Sequence, residues 1–319
     1  MDRVSASIGR APDNESFDDN RAFTLPCDEE SLVQQGGEVP SAAEDLFRLN
    51  ELDVFYDEGQ RALWSFMRSV GRPSFTQSLL RDFEDWQRLI PLNFGPERKP
   101  LDYLILGSRT PDVFCFGGDL QLFQSLIRAG DRDGLVRYGY RCVEILDRNI
   151  AALQLPMLTI GLVEGAALGG GFEALLSFDF IIAERTATFG LPEIMFNLFP
   201  GMGAHAFLIR KLGLAQAERI ILSNQTYSAQ DMFDLGIVHQ VVEPGEGRAA
   251  CEEFMAKADR RHSALVRAKA AARVTAPVPL AELKAIVDLW ADTALELADR
   301  DLKIMSRLVA AQGRLKASA

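Results

Sequence analysis

A glycine-rich turn between two apolar runs places the strongest constraint on how this chain folds. The runs MLTIGLV (157–163) and DFIIAE (179–184) have the length and the flanking residues of buried strands. Between them lies EGAALGGGFEALL, a turn that leads into a short helix. This order of strand, glycine turn, helix and strand predicts a domain of the α/β class.

The same order of elements also occurs earlier in the chain. The run LDYLILGS (101–108) predicts a buried strand, and the loop TPDVFCFGGDL leads from it into a helical stretch that ends near Leu153. Two alternating segments that start at Leu52 predict antiparallel strands, and Thr76 is positioned to cap the next helix. The sequence after Pro200 predicts helices and a last short strand at 238–244.

Three segments of different composition divide the chain. Residues 1–45 hold eleven acidic and three basic residues and are rich in Ser, Asn, Gly and Pro, so we expect a disordered tail. Residues 46–245 contain the predicted strands and are expected to form the α/β core. Residues 246–319 predict three or four helices, interrupted at Pro277 and Pro279.

Composition argues against several classes of protein. No run of eighteen uncharged apolar residues occurs and the first thirty residues are acidic, so we expect neither a membrane span nor a secretory signal. The four cysteines form no CxxC pair and no zinc spacing, which indicates reduced thiols in a cytoplasmic protein. With only three histidines, a metal site of several histidines would need all three to converge, and a net charge of −11 without a basic stripe argues against nucleic acid as a partner.

The glycine triplet in the turn favours the binding of a developing oxyanion. Gly169, Gly170 and Gly171 stand at the predicted start of a helix, where unpaired N–H groups point outward. No Walker A lysine and no GxGxxG spacing accompany them, so a phosphate loop is the weaker interpretation. An oxyanion site is the better one, because glycines let a carbonyl oxygen approach the backbone closely.

Two glutamates in apolar surroundings accompany this turn. Glu173 falls in the first turn of the predicted helix, and Glu193 follows twenty residues later in GLPEI. Burial among apolar neighbours raises the pKa of a carboxyl group toward values that suit general acid or base catalysis. Each glutamate alone is more often a helix cap or a solvated side chain, but the pair beside an oxyanion-type turn favours catalysis.

The stretch from Phe114 to Gly203 resembles the crotonase superfamily of thioester enzymes. FCFGGDL is similar to the first oxyanion-loop motif of that family, and EGAALGGGFE is similar to the second. The resemblance implies an α/β fold in which β-β-α repeats form a spiral of two roughly perpendicular sheets, followed by C-terminal helices. It also implies that the backbone N–H groups of Gly118 and Gly170 bind the thioester oxygen, and that Glu173 and Glu193 carry the acid and base roles.

Further motifs resemble the bacterial diffusible signal factor synthases. These are FYDEGQRALWSFMRS, FNLFPGMGA and VPLAELKAIVDLWADTALEL, and the similarity runs from Leu52 to Arg314. It implies dehydration of a 3-hydroxyacyl group on acyl carrier protein, followed by hydrolysis to a free cis-2-unsaturated fatty acid. Met202, Trp290 and Leu308 match positions that line the acyl pocket in that family, with ordinary core packing as the alternative.

The resemblance implies partners as well as chemistry. A homotrimer or hexamer is expected, no metal or cofactor is needed, and the receiver domain of a sensor kinase binds some members. Two alternatives remain open: an ordinary enoyl-CoA hydratase or isomerase that acts on CoA thioesters, and a non-catalytic module of the same fold. The sequence does not assign the acid role or the base role to either glutamate.

Overall fold

Two β-sheets form the frame of the protein in a computed structural model that describes residues 45–317, with side chains described as far as Gln312. The strands are β1 (Leu52–Asp57), β2 (Ala62–Met67), β3 (Tyr103–Ser108), β4 (Val113–Cys115), β5 (Leu158–Val163), β6 (Ala166–Leu168), β7 (Phe180–Glu184), β8 (Thr188–Gly190), β9 (Thr226–Ser228) and β10 (Gln240–Val242). The helices between Gln77 and the end of the described chain are α1 (Gln77–Asn93), α2 (Leu120–Ala129), α3 (Arg132–Ile150), α4 (Gly170–Leu175), α5 (Ala204–Leu212), α6 (Leu214–Ser223), α7 (Ala229–Asp234), α8 (Gly247–Ala258), α9 (His262–Thr275), α10 (Leu280–Leu295) and α11 (Asp299–Ala317). The acidic tail predicted at residues 1–45 lies, up to residue 44, outside the described residues.

The larger sheet has six strands in the order β1-β2-β3-β5-β7-β10. Strands β1 and β2 are antiparallel, as predicted, and every other neighbouring pair in this sheet is parallel. Strand β5 is buried at every position and β3 at every position but its last, because helices or the second sheet cover both of their faces. The continuous apolar runs in the sequence therefore correspond to the centre of this sheet.

The smaller sheet has the order β4-β6-β8-β9 and consists of strands of three residues each. Strands β4, β6 and β8 each follow a strand of the larger sheet within a few residues, so the chain steps from one sheet to the other. Helix α2 follows β4 and helix α4 follows β6, which gives the predicted repeat of strand, strand and helix. Strand β4 lies in a segment that was interpreted from the sequence as a loop. Three residues are too few to show the alternation of apolar and polar side chains that marks a strand.

Four helices, α8 to α11, follow the last strand. Helix α10 lies along α3, where Lys284 Nζ pairs with Glu144 Oε1 at 2.7 Å. Helix α11 contacts α2, where Gln124 Nε2 donates to the carbonyl of Leu302 at 3.2 Å. Helix α11 therefore packs on the helix that follows the first oxyanion-type motif, and α10 packs on the next helix along the chain. The predicted interruption at the prolines is confirmed, because α9 ends at Thr275 and α10 begins at Leu280.

Helices α1 and α7 start at side-chain caps, the first of them at the predicted Thr76. Thr76 Oγ1 accepts a hydrogen bond from Leu79 N at the start of α1, and Ser228 forms a capping box with Asp231 at the start of α7. Across the described part of the chain, every helix is too short or too polar to span a bilayer.

Candidate active site

The glycines of the predicted turn let two backbone segments touch. Gly169 precedes α4 with a φ of +52°, and a Cβ on it would lie 2.6 Å from the carboxylate of Glu193. A Cβ on Gly171 would lie 2.3 Å from the carbonyl oxygen of Cys115, and a Cβ on Gly117 would lie 2.5 Å from the nitrogen of Gly170. Since real Cβ atoms do not approach other atoms so closely, any side chain here would push the two segments apart.

This contact places two N–H groups side by side. The nitrogen of Gly118 lies 3.4 Å from the point where a Cβ on Gly170 would stand. Within residues 45–317, neither the Gly118 N–H nor the Gly170 N–H donates a hydrogen bond to another residue. Two unpaired donors from different segments therefore lie close together, an arrangement that can bind a developing oxyanion.

The loop that carries Gly118 is tied down on both sides. Phe116 N donates to the carbonyl of Pro73 at 2.7 Å. The hydroxyl of Tyr138 accepts a hydrogen bond from Asp119 N at 3.2 Å and donates to the carbonyl of Phe75 at 2.5 Å. Because Asp119 N belongs to the peptide that follows Gly118, the Tyr138 hydroxyl fixes the orientation of this part of the loop.

Glu173 is a buried carboxylate held by a backbone turn. Its side chain sits on α4, and the residue is 1% exposed. Its Oε2 accepts hydrogen bonds from Met202 N and Ala204 N, each at 2.8 Å. The turn closes at Gly203, whose φ of +114° suits glycine. Burial raises the pKa of Glu173 from 4.5 to about 7, and the two N–H groups limit that rise.

Glu193 is a second carboxylate with a raised pKa, and it has one unpaired oxygen. It begins the short helical turn Glu193–Phe196, and its Oε2 is buried without a hydrogen-bond partner. Burial, together with the charge of Glu173, raises the pKa of Glu193 from 4.5 to about 8. Two interacting carboxyls titrate as a pair, and with these pKa values the pair holds a single proton mainly between about pH 7 and about pH 8.

These groups border a single cavity. Its wall includes six of the seven residues that the sequence analysis selected, namely Gly118, Glu173, Glu193, Met202, Trp290 and Leu308. The seventh, Gly170, adjoins the cavity through Met202, whose sulfur lies 2.6 Å from the point where a Gly170 Cβ would stand. The structure thus brings together residues that span almost two hundred positions of the chain.

Aromatic rings from three helices build the apolar side of the cavity. The Phe123 ring on α2 packs edge-on against Tyr138 on α3, with centroids 4.9 Å apart, and against Trp290 on α10, with centroids 5.0 Å apart. Sequence reasoning did not select Phe123 or Tyr138. Neither belongs to a motif, and their role follows from distances in space that no local pattern reports.

Cys115 is not arranged as a nucleophile. It is fully buried, burial raises the pKa of its thiol to about 12, and its sulfur accepts a hydrogen bond from Gly117 N. It is a small buried residue of the core. Two of the histidines have structural partners outside the candidate site. His239 accepts a hydrogen bond from Ile181 N, and His262 forms a hydrogen bond with the carbonyl of Asp102.

The sequence profile of one protein family, described as enoyl-CoA hydratase/isomerase, matches residues 96–295. The chain belongs to this family. The matched range contains both oxyanion-type loops and both glutamates, and it ends with α10.

Curated members of the enoyl-CoA hydratase/isomerase family align with part of the chain. A probable enoyl-CoA hydratase of Mycobacterium leprae is 39% identical over 141 residues, which are 44% of this chain and 50% of that protein. The mitochondrial methylglutaconyl-CoA hydratase of Rattus norvegicus is 33% identical over 184 residues, which are 57% of this chain and 55% of that protein. The chain therefore spans about half the length of these curated relatives.

Solved structures of the family share the fold. DspI of Pseudomonas aeruginosa is 25% identical with a TM-score of 0.60, and the match covers 71% of this chain and 87% of that one. An enoyl-CoA hydratase from Bacillus halodurans has a TM-score of 0.67 at 18% identity, over 80% of this chain and 98% of that one. The predicted α/β fold of β-β-α repeats with a C-terminal helical region is confirmed.

Proposed function

We propose that this protein dehydrates 3-hydroxyacyl thioesters and then hydrolyses the product, as a diffusible signal factor synthase does. One observation carries the thioester chemistry of this proposal: two carboxyls with raised pKa values, Glu173 and Glu193, border a cavity that also adjoins two unpaired backbone donors, Gly118 N and Gly170 N. The substrate class is a medium-chain 3-hydroxyacyl group on acyl carrier protein, and the product is a free cis-2-unsaturated fatty acid.

The dehydration step uses the oxyanion site and both carboxyls. The thioester oxygen accepts hydrogen bonds from the N–H groups of Gly118 and Gly170, so the negative charge that forms when C2 loses its proton is stabilised as an enolate. One glutamate takes the C2 proton, and the other gives a proton to the C3 hydroxyl, which leaves as water. The pair holds one proton in the neutral range, so one glutamate is protonated and can act as the acid while the other is ionised and can act as the base.

Hydrolysis of the thioester needs no further residue type. The same two N–H groups stabilise the tetrahedral intermediate that forms when water attacks the thioester carbon. A glutamate in its carboxylate form removes a proton from that water, and the carrier thiol leaves with a proton. Cys115 does not take part in this scheme, since its thiol is buried and stays protonated.

The finer assignment is supported by the sequence motifs outside the two oxyanion-type loops. FNLFPGMGA supplies the turn whose N–H groups hold Glu173, and the motif near the end supplies Trp290 in the cavity wall. We further propose a homotrimer or hexamer, and the receiver domain of a sensor kinase as a second partner, on the same resemblance.

A second candidate function is an ordinary enoyl-CoA hydratase. The names of the relatives favour it, because they include a crotonyl-CoA hydratase of Syntrophomonas wolfei and a short-chain-enoyl-CoA hydratase of Clostridium acetobutylicum. The oxyanion site and the paired glutamates serve the addition of water to an enoyl-CoA equally well. The two candidates differ in whether the thioester is cleaved and in the carrier of the acyl group.

The test is to incubate the purified protein with 3-hydroxydodecanoyl-acyl carrier protein and to analyse the released acids by mass spectrometry. We expect free cis-2-dodecenoic acid from the wild type and none from Glu173→Ala or Glu193→Ala. Enoyl thioester without free acid, or hydration of crotonyl-CoA with the carrier substrate untouched, would replace the proposal with the second candidate. Inactivity toward every thioester would instead favour a binding module.

A further inference from the structure

Helix α10 packs one of its faces against two glycines of the turn 201–204. Leu283 and Trp290 are seven positions apart, which places them on the same side of the helix, and both are buried. A Cβ on Gly203 would lie 3.0 Å from Leu283 Cδ2, and a Cβ on Gly201 would lie 2.6 Å from the Trp290 ring. The helix therefore lies directly against the backbone of this turn.

The same turn is the part of the backbone that binds Glu173. Met202 N and Ala204 N both donate to the Oε2 atom of this glutamate, and the two glycines stand on either side of Met202. Gly201 has no positive φ, so it is the Trp290 ring, and not the backbone conformation, that leaves no room for a side chain. A shift of the turn away from α4 would lengthen both hydrogen bonds to the carboxylate.

Polar pairs hold α10 in this position. On α3, the Tyr140 hydroxyl donates to Asp288 Oδ2 at 3.0 Å. On α5, Arg210 donates to both carboxylate oxygens of Glu282, at 2.8 and 2.7 Å, a bidentate geometry that fixes orientation. Since α5 begins at Ala204, the last residue of the turn, α10 is tied to the helix that continues from the turn as well as to α3.

We propose that α10 positions the catalytic carboxylate: Leu283 and Trp290 hold the turn 201–204 so that its two N–H groups stay on Glu173. The inference rests on the proposed function, because it takes Glu173 to be the acid or the base. Trp290 then has a second role beside its place in the cavity wall. Leu283, which lies outside that wall, becomes a positioning residue that acts through the turn.

The hydrogen bonds from the turn act on the ionised form of Glu173. Each N–H favours the carboxylate over the carboxylic acid, and the two together limit the rise that burial causes in its pKa. A bond of this kind to a charged group is worth roughly one pKa unit. A displaced turn is therefore expected to raise the pKa of Glu173 by about one above its value of about 7.

Three other titratable groups lie near this carboxylate. Glu193 interacts with Glu173, so the two titrate as a pair. Burial raises the pKa of the Cys142 thiol on α3 far above the neutral range, so the thiol stays protonated. His205 follows Ala204 on α5, and burial lowers its pKa below 6.5, so it is neutral above that pH. The glutamate pair is therefore the group that titrates between pH 6.5 and pH 8.5.

The test compares two truncations on α10. Leu283→Ala removes a contact with the turn, whereas Val287→Ala, the matched control, removes a contact with Gly139 on α3, where a Cβ would lie 2.4 Å from Val287 Cγ1. Both residues are fully buried, so both variants are expected to be less stable than the wild type. The measurements are the pH profile of kcat/KM and urea unfolding at pH 5 and pH 8.5.

Only Leu283→Ala is expected to change the response to pH. The limb of its kcat/KM profile that reports Glu173 should move up by about one pH unit, and the variant should lose more stability at pH 8.5 than at pH 5. The sign follows because a higher pKa in the folded state makes ionisation of the carboxyl costlier to the folded protein. Val287→Ala should lose the same stability at both pH values and keep the wild-type profile.

Gly201→Ala keeps the test informative if Leu283→Ala folds poorly. Its Cβ would meet the Trp290 ring, so the same upward shift is expected, and Trp290→Leu in the same chain should reverse the shift by making room. Equal shifts in Leu283→Ala and Val287→Ala, or no shift in Leu283→Ala and Gly201→Ala, would overturn the positioning role and leave the chemistry of Glu173 standing. If the wild type turned over no thioester, the proposed function would fall, and the unfolding comparison alone would decide whether α10 holds the carboxylate.

Discussion

Replacement of Glu173 by glutamine is expected to stop the chemistry and to stabilise the folded protein at alkaline pH. The carboxylate is 1% exposed, and its Oε2 accepts both backbone bonds. Glutamine has the same shape and keeps a carbonyl oxygen for Met202 N and Ala204 N, so the turn is preserved. The variant loses a general acid or base, which corresponds to a fall in turnover of about 10²- to 10⁴-fold.

The stability change follows from the raised pKa of Glu173. In the unfolded chain the carboxyl has its ordinary pKa of 4.5, and in the folded protein it rises to about 7, so the folded state holds the proton more tightly. Stability therefore falls as the pH rises from about 4.5 through about 7, and the full deficit remains above that window. At about 1.4 kcal/mol for each pKa unit, the deficit is about 3 kcal/mol.

Glutamine carries no titrating proton, so Glu173→Gln avoids this deficit. We expect its free energy of unfolding to exceed that of the wild type by up to about 3 kcal/mol near pH 8.5, with the gain shrinking toward pH 5. Urea unfolding at the two pH values measures the difference, and thiol release from the thioester substrate measures turnover.

Glu184→Gln is the matched control for this experiment. Glu184 is another buried carboxylate that accepts two backbone N–H groups, from Gly245 and Gly247, but it lies outside the catalytic cavity. It is expected to keep its turnover. Near wild-type turnover in Glu173→Gln would show that Glu173 is neither the acid nor the base. If Glu173→Gln destabilised the protein equally at both pH values, the argument from burial would be refuted.

Three further predictions concern the loop that faces the glycine triplet. Gly117→Ala would place a Cβ 2.5 Å from Gly170 N at a φ of +85°, so steady-state kinetics should show a kcat about 10²- to 10³-fold lower. Tyr138→Phe removes the hydroxyl that holds Asp119 N, and kcat should fall about tenfold with KM nearly unchanged and the circular dichroism spectrum retained. A large rise in KM instead would contradict this positioning role. Iodoacetamide near pH 8 should leave activity intact because burial keeps the Cys115 thiol protonated, and inactivation at the rate of a free thiol would show that the loop opens.

The long elements of the fold were predictable because their patterns are local. The continuous apolar runs correctly indicated β3 and β5, and Thr76 correctly marked the start of α1. The strands of the smaller sheet were not all predictable, since β4 has three residues and no visible period. Its pairing with β6 depends on a partner about fifty positions away in the sequence.

The candidate site was predictable only where motifs mark it. The glycine triplet and the two glutamates stand in recognisable patterns, and the structure brings them to one cavity. Tyr138 could not be found in this way. Its role depends on its hydroxyl, which the packing of α3 places near Asp119 N.

The contact between the two glycine-bearing segments also limits which substitutions such a protein can accept during evolution. At Gly117 and Gly171 a Cβ would lie 2.5 Å and 2.3 Å from backbone atoms of the facing segment, so any side chain at either position would displace the reacting groups. The wall of the catalytic cavity also includes apolar side chains of α2, α10 and α11, and these positions tolerate exchange of one apolar residue for another. Substrate range can therefore drift while the reaction stays constant, and a mutagenesis library aimed at new acyl chains should vary the helices and leave the glycines untouched.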